Sequence, residues 1–368
     1  MALAKKNFAV TDTAGNVVHG ATITIVNELT GAPGVAYSDR DGASLLGSSF
    51  VAADGADAGF HIAGGAYKIT ATKGSFNRVW RYEPVGTAQE SDTATDAIDN
   101  GLIREKLTAN RTYYVRTDGD DGNDGLADSA GGAFLTIQKA INTVRDKIDL
   151  GGYNVVIQVG NGTYTEALVC AGVGSNPIGS GSWVGRGEVK LKGDTTTPSN
   201  VIIQTTNSDS VIQVGNDCTL SIEGVKLQSS GGGILLNPTR AGRIAITGNM
   251  EFGATTSIHI NCGASSQLTV LAGYTISGGG SIHMQAVNNS LIAAVAVTVT
   301  LTGTPAFSTA FAQAQVCGTM QLGAITYSGS ADAGTKQYNV VLNGVINRNG
   351  GSLPGGVAGT TATGGVFA

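Results

Sequence analysis

Charge is scarce in this sequence, and long apolar runs are absent. Only 13% of the 368 residues are Asp, Glu, Lys or Arg, about half the share that is usual in globular domains. The formal net charge is −5 and there is no basic tract, which excludes nucleic-acid binding through phosphate neutralisation. The longest apolar run is Leu291–Val297, whereas a membrane helix needs about 20 apolar residues. We therefore expect no membrane insertion.

Signals for export and for metal binding are also missing. Met1–Val10 contains two lysines but no apolar segment, so we expect no secretory signal peptide. The four cysteines are Cys170, Cys218, Cys262 and Cys317. They lie far apart along the chain, and this spacing does not fit a metal site. We predict buried free thiols, a reducing compartment for folding and no cofactor.

Glycine is abundant, with 55 residues and no Gly-X-Y period. Together with Thr, Ser, Asn, Val and Ile, it predicts an all-β protein of short strands and tight turns. Residues 1–83 are expected to form a first β domain. Its strand candidates are Phe8–Thr11, Ala21–Asn27, Phe60–Ala63 and Tyr67–Thr72. Residues 84–111 are interpreted as a linker or stalk, because Gln89–Asn100 is polar and acidic, with a short helix at Leu102–Leu107.

A second domain is predicted over residues 112–330. It opens with a strand at Tyr113–Val115 and a turn-rich run at Asp118–Gly125. An amphipathic helix over about 136–150 follows, with Thr136 as its N-cap and Gly151 as its stop. Its apolar face consists of Ile137, Ile141, Val144 and Ile148.

Short apolar strands then recur at intervals of about 24 residues in three interleaved series. The first series is Ile212, Ile234, Ile258 and Ile282; the second is Leu220, Ile244, Leu268, Leu291 and Val316; the third is Leu227, Phe252, Ile276, Val299 and Leu322. Three series with one period indicate three strands per coil, stacked at about 4.8 Å around a shared apolar interior. We therefore predict a parallel β-helix of about seven coils between Tyr153 and Tyr327, covered at its first coil by the helix. Each series should form a vertical column, and Asn237, Asn261 and Gln285 should form an amide ladder at a turn, where they would satisfy backbone groups.

Three segments resemble known families. TDTAGNVVHGATITIVNELTG…YSDRDG…GFHIAGGAYKITAT resembles the transthyretin-like or carboxypeptidase-regulatory-like β-sandwich, whose members often serve as attachment platforms. YYVRTDGDDGNDGLADSAGGAFLTIQKAINTV, followed by VVIQVGNGTYTE, resembles the opening of pectate-lyase-like right-handed β-helices. Among proteins with this opening, tailed-phage fibres, tailspikes and related particle spikes look most similar. Residues 331–368 resemble the terminal segment of phage fibre proteins.

Candidate catalytic residues are few. The family resemblance implies either a calcium-binding carboxylate cluster or a carboxylate pair, which in hydrolases is about 5–9.5 Å apart. The weak candidates are Asp217, Glu223 and Glu251, and projection on the repeat places no acid beside another one coil away. Glu166 and Glu188 are expected to be solvated. We therefore favour a protein without enzymatic activity.

Candidate binding residues are equally sparse. Trp183 lies in a Gly/Ser loop and either stacks on a sugar ring or packs within the loop, while Arg240 and Arg243 either contact an acidic sugar or are solvated. His259 and His283 are expected to point outward on adjacent coils, as a surface or interface pair or as weak candidates for a metal site. Asp118–Asp124 does not fit a calcium loop and predicts Asx and Gly turns.

No charged residue occurs between Glu251 and Asp332. A single exposed β-helix would carry more charge, so we expect packing against identical subunits in a homotrimer.

The leading hypothesis from sequence is a structural fibre or spike protein on the virion surface of a tailed phage or phage-like particle, assembled in the host cytoplasm. Residues 1–83 would dock to other virion proteins of the tail or head, and the trimeric β-helix would contact a host-surface polysaccharide or protein. The alternatives are a polysaccharide depolymerase, either a lyase or a glycoside hydrolase, and a bacterial surface adhesin.

Overall fold

The computed structural model describes residues 3–7, 9–52, 58–85, 104–170 and 183–368. The chain divides into two compact units, Met1–Ile103 and Arg104–Ala368, called the N-terminal unit and the C-terminal unit. The predicted polar segment Gln89–Asn100 lies outside the described residues. Over the described part of the chain, no helix is both long and apolar enough to cross a membrane.

The N-terminal unit contains two four-stranded antiparallel sheets. One sheet has the order Ala4–Lys6, Phe60–Ile62, Ala36–Tyr37 and Leu45–Gly47; the other has the order Ser49–Ala52, Ala21–Asn27, Gly65–Lys73 and Phe76–Val85. Along Ala21–Asn27 the first five residues alternate between buried and half-buried, because successive strand residues face opposite sides of a sheet. Both sheets contribute to one apolar core that includes Ile23, Phe60 and Ile69.

The strand predicted at Ala21–Asn27 is confirmed with its bounds, and two others are confirmed as Phe60–Ile62 and Gly65–Lys73. The candidate Phe8–Thr11 is wrong over its described residues, because Ala9 and Val10 are irregular and Thr11 forms only an isolated bridge with Val17. Phe8 lies outside the described residues.

The C-terminal unit is dominated by three long parallel sheets. The first sheet contains Arg111–Val115, Val155–Val159, Val189–Lys192, Thr219–Glu223, Arg243–Ile246, Gln267–Val270, Leu291–Ala294, Thr319–Gln321, Val345–Asn347 and Val366–Phe367. The second contains Gly162–Thr165, Val201–Thr205, Lys226–Ser229, Glu251–Phe252, Tyr274–Ile276, Val297–Leu301 and Ile325–Ser328. The third contains Leu168–Cys170, Ile212–Val214, Leu236–Pro238, Ile258–Cys262, Gly280–Val287, Phe307–Gln315, Tyr338–Val340 and Thr360–Thr361. Consecutive members of each sheet belong to consecutive passes of the chain, an arrangement compatible with a β-helix.

Seven strands of the first sheet begin between Tyr153 and Tyr327, which agrees with the predicted seven coils. The same sheets continue beyond residue 330, because Tyr338–Val340 and Val345–Asn347 pair with preceding strands of the third and first sheets. One apolar core runs through all three sheets from Leu107 to Leu353.

The predicted columns are correct only in part. Leu220, Ile244 and Leu268 pair in register, as do Leu227, Phe252 and Ile276. Further along, the columns continue through Ile292 and Leu301, not through Leu291 and Val299. The column that begins at Leu220 continues through Met320, not Val316. Leu322 is not a strand residue, because it directly follows the strand Thr319–Gln321. The coil from Ile292 to Met320 is longer than the three coils directly before it, and the register of its strand Phe307–Gln315 shifts between Gly280 and Ile282 of the partner strand.

The predicted column of Ile212, Ile234, Ile258 and Ile282 is wrong. Ile212 pairs with Leu236, and this column continues through Ile260 and Met284. Ile234 precedes the strand and is half-buried after three glycines, so the strand starts two residues later than the apolar run. Ile258 and Ile282 do pair with each other.

An α-helix, Ile137–Lys147, covers the start of the parallel sheets, and Thr136 is its N-cap as predicted. The helix packs against the strands Arg111–Val115, Val155–Val159 and Leu168–Cys170. It ends before Leu150, because Ile148–Asp149 pairs as a strand with Glu105–Lys106. That pairing also replaces the helix predicted at Leu102–Leu107 over its described residues. A short 3₁₀ helix, Pro198–Asn200, precedes Val201–Thr205.

Stacked tight turns lead from the third sheet into the first. Each has two successive residues with positive φ, namely Asn216–Asp217, Arg240–Ala241, Ala264–Ser265, Asn288–Asn289, Val316–Cys317, Leu342–Asn343 and Thr363–Gly364. This is the backbone of a type I′ turn. In every turn that has a successor, the amide of the second residue donates to the carbonyl of the first residue in the next coil, as from Ala241 to Ala264. The turns therefore form a continuous backbone ladder.

The predicted amide ladder is present within the third sheet. Asn261 Nδ2 donates to Asn237 Oδ1 at 3.0 Å, and Asn261 lies beside Gln285 in the strand register. The ladder continues where Gln285 Nε2 donates to Gln313 Oε1 at 2.6 Å. On the outer face of the strands, the side-chain hydrogen bonds join Asn237 to Asn261 and Gln285 to Gln313. The expectation that these side chains sit at a turn and satisfy backbone groups is therefore wrong.

Candidate functional site

A polar groove lies on the outer face of the first sheet, near the end that the helix covers. Its cavity volume is about 460 Å³. Its lining includes the side chains of Tyr114, Gln158, Glu188, Lys190, Lys192 and Glu223. We call these six residues the polar groove.

Strand alternation and register place these residues together. In Val155–Val159 and Val189–Lys192 alternate residues are buried, which leaves Val156, Gln158, Lys190 and Lys192 on the outer face. Tyr114 pairs with Gln158, and Gln158 pairs with Lys192. Lys192 in turn pairs with Glu223, so four polar residues form one column across adjacent strands.

Glu223 is the most buried ionisable residue of the groove, at 9% exposure. Its carboxylate lies 3.3 Å from Lys190 Nζ and 3.8 Å from Lys192 Nζ. The Thr247 hydroxyl also donates to Glu223 Oε2 at 3.0 Å. Burial of a carboxylate requires such partners, so the two lysines and the threonine explain how Glu223 is accommodated here.

A second carboxylate reaches the same lysine. Glu188 Oε1 lies 4.0 Å from Lys190 Nζ. The Glu188 and Glu223 oxygens nearest to Lys190 are therefore no more than about 7 Å apart, below the upper limit of about 9.5 Å for paired carboxylates in glycoside hydrolases. A hydrolase pair needs one carboxyl group that carries a proton, whereas here one ammonium group lies between the two carboxylates. The arrangement is that of an ion-pair network at the floor of a groove.

The structure does not bring the three predicted acids together. Glu223 lies in the polar groove, but Glu251 belongs to the second sheet, where it pairs with Lys226 at 2.7 Å and accepts a hydrogen bond from Ser277. Asp217 occupies an exposed type I′ turn. One coil further on, Glu223 contacts Thr247 and Glu251 pairs with Thr275, so neither acid lies beside another acid there, as the projection predicts.

The predicted ligand-binding residues also lie apart from the groove. Trp183 is only 9% exposed, and its indole N–H donates to the Thr219 carbonyl. The packing interpretation of Trp183 is thus correct, although most of its Gly/Ser loop lies outside the described residues. Arg240 is exposed in a type I′ turn, and Arg243 is exposed at the start of the next strand of the first sheet.

The expectation that His259 and His283 point outward is wrong. Both imidazoles are fully buried, and their Nδ1 atoms are 3.0 Å apart. Period-two alternation fails here because His259 and Ile260 are both buried, whereas Ile258 is only half-buried. The strand therefore enters the core one residue later than its first isoleucine suggests.

The aspartates of Asp118–Asp124 have structural roles, as the turn interpretation predicts. Asp120 and Asp124 accept backbone amides two residues ahead. Asp121 Oδ1 accepts the amides of Leu135 and Thr136. Across the described residues, no group of three or more His, Cys, Asp or Glu side chains is arranged to hold a metal ion.

Glu166, expected to be solvated, caps the helix. Its two carboxylate oxygens accept the amides of Ile137 and Gln138 at 2.9 and 3.0 Å. Burial raises the pKa of Glu166, and these two hydrogen bonds oppose that shift. Three cysteines are buried free thiols as predicted, but Cys317 is exposed because it lies in a type I′ turn.

Most of the polar groove was not predicted from the sequence. The alternation in VIQV and VKLK does indicate outward Gln158, Lys190 and Lys192. However, the register steps from Gln158 to Lys192 and from Lys192 to Glu223 are both longer than the repeat that separates the later coils. A projection with one constant period cannot align these side chains.

Comparison with protein-family models, with curated proteins and with solved structures finds no match to this chain.

Proposed function

We propose that this chain is a fibre or spike protein of a tailed phage or phage-like particle, docked through residues 1–83 and binding a host-surface polysaccharide through the polar groove. The long parallel sheets would then be a right-handed β-helix in a homotrimer. The observation that carries the proposal is the groove itself, which presents a column of polar side chains on an exposed sheet face.

The groove chemistry suits a sugar polymer. Tyr114 offers an aromatic ring and a hydroxyl, Gln158 offers an amide, and Lys190 and Lys192 offer ammonium donors. Hydroxyl-rich chains are bound by such side-chain donors and acceptors, and a uronic or sialic carboxylate would pair with the lysine that faces solvent more. Lys192 is that residue, with a side chain 40% exposed against 24% for Lys190.

The stretch without charged residues between Glu251 and Asp332, called the charge-free stretch, supports assembly of several copies. Its exposed apolar side chains include Leu271, Val295 and Val316. These side chains would lose contact with water on packing against identical subunits, and this burial stabilises an oligomer.

Polysaccharide binding can be tested with the full-length chain. We expect a Lys192→Ala/Tyr114→Ala variant to lose at least tenfold in affinity for host capsule or lipopolysaccharide, measured by glycan array and calorimetry. Lys226→Ala is the matched control, because Lys226 forms an ion pair on the second sheet, outside the groove. Equal binding by all three proteins would refute the role of the groove.

Docking and assembly require separate measurements. Deletion of residues 1–83 should abolish incorporation into particles, and light scattering of the full chain should report a trimer. Particles that still incorporate the truncated chain would contradict the docking role, and a monodisperse monomer at micromolar concentration would contradict the trimer.

The polysaccharide depolymerase is the second candidate, favoured by the closeness of Glu188 and Glu223 across Lys190. Incubation with host capsule, followed by assays for reducing ends and unsaturated sugars, distinguishes cleavage from binding. Activity that disappears in Glu223→Gln but persists in Glu251→Gln would overturn the non-enzymatic proposal.

A further inference from the structure

Two histidines on adjacent coils lie in an aromatic cluster within the core of the C-terminal unit. His259 is stacked on Phe252 with ring centres 5.6 Å apart, and His283 lies 4.9 Å from the Phe311 ring. Phe307 contacts both imidazoles. Neither histidine is exposed to solvent, so their hydrogen bonds must be made within the protein.

The hydrogen bonds form one directed chain. His259 Nε2 lies 3.2 Å from the Gly279 carbonyl, which can only accept, so Nε2 carries the hydrogen and Nδ1 is bare. His283 Nδ1 must therefore donate to His259 Nδ1 across 3.0 Å. The bare Nε2 of His283 then accepts the Tyr274 hydroxyl at 2.9 Å. We call Tyr274, His283, His259 and the Gly279 carbonyl the histidine relay.

We propose that the histidine relay is an acid-sensitive lock between the coils that contain strands Ile258–Cys262 and Gly280–Val287. With both rings neutral, every polar atom of the relay has a partner. A proton added to His259 would place two N–H groups against each other at Nδ1. A proton added to His283 would turn the Tyr274 hydrogen away from its acceptor. This inference is independent of what the polar groove binds.

The surroundings offer a buried cation no compensation. The ionisable groups on the strands packed around the rings are Glu251, Cys262, Tyr274 and Tyr327. Glu251 is paired with Lys226, and Tyr327 has Arg348 stacked 5.2 Å from its ring centre. Within the described residues, no carboxylate is hydrogen-bonded to either imidazole. An imidazolium here would therefore be buried without a counter-ion.

The sign of the pH effect follows from burial. Burial lowers the pKa of His259 to about 4, and burial together with the neighbouring His259 lowers the pKa of His283 well below its ordinary value of 6.5. The unfolded chain takes up protons near pH 6.5, whereas the folded chain does not. The contribution of the two neutral histidines to the free energy of unfolding is therefore fully present above pH 6.5, and it declines as the pH falls toward 4. Between pH 6.5 and 4, each histidine raises the unfolding constant up to about tenfold for every unit by which the pH decreases.

Urea unfolding of the full chain between pH 7.5 and 5 tests the proposal. Trp183 fluorescence reports the C-terminal unit in a Trp80→Phe background. We expect the unfolding constant to rise up to about 100-fold from pH 6 to pH 5. The rise should be much smaller in His259→Phe/His283→Leu and unchanged in His19→Gln, a control in the N-terminal unit. The same pH dependence in the double variant would overturn the proposal.

A second measurement applies even where the double variant does not fold. Nitrogen-15 spectra of histidine-labelled protein at pH 6 should show opposite neutral tautomers, with the hydrogen on Nδ1 of His283 and on Nε2 of His259. Two identical tautomers, or an imidazolium signal from either ring at pH 6, would refute the relay.

Discussion

Replacing Val316 with glycine should stabilise the protein. Val316 is β-branched and has φ 50° in a type I′ turn, a conformation that costs a non-glycine residue about 1–2 kcal/mol. Glycine adopts it without this strain but loses about 0.5–1 kcal/mol in chain entropy on folding. The difference predicts a gain of about 0.5–1 kcal/mol in the free energy of unfolding.

The control is another valine of equal exposure with an ordinary backbone. Val295 is 45% exposed, compared with 43% for Val316, and its φ is not positive. Val295→Gly should therefore lower the free energy of unfolding by about 0.5–1 kcal/mol. Urea unfolding of the two variants should give shifts of opposite sign.

Leu342→Gly distinguishes turn strain from subunit packing. Leu342 has φ 52° and 49% exposure, and it lies outside the charge-free stretch. It should repeat the gain seen for Val316→Gly. If all three glycine variants are destabilised to the same extent, the account of turn strain is wrong.

Three further outcomes follow from contacts in the C-terminal unit. Cys317, as the exposed cysteine, should react with a thiol reagent in the native protein, whereas the other three should react only in denaturant; rapid labelling of all four would contradict their burial. Glu166→Gln should cost about 1–2 kcal/mol in urea unfolding, because an amide can accept only one of the two helix amides; no change would refute the cap. Asn261→Ala should cost about 1 kcal/mol by removing the hydrogen bond to Asn237; a neutral result in thermal unfolding would show that the ladder contributes nothing.

Periodicity was sufficient where equal spacing coincided with the strand register. Leu220, Ile244 and Leu268 follow one another at equal intervals, one coil apart, so their pairing could be predicted from spacing alone. The helix was equally accessible, because its N-cap and apolar face are local signals.

Strand register, and burial at the start of a strand, could not be predicted in the same way. The strand containing His259 begins with a half-buried isoleucine and then buries two successive residues, and no alternating pattern describes this. The polar groove depended on two longer coils near the helix, whose lengths are set by loops without apolar periodicity. The sequence could place Lys190 and Lys192 on an outer face, but it could not show that both contact Glu223.

The helix at the start of the parallel sheets has a consequence for biosynthesis. Each strand from Val189 onward pairs with one from the preceding coil, and the helix and the strands that it packs against precede all of them in the chain. A coil that leaves the ribosome can therefore pair with a preceding coil that is already folded, and the helix already covers the first end of the sheets. Growth can proceed one layer at a time in the order of translation, without waiting for distant sequence.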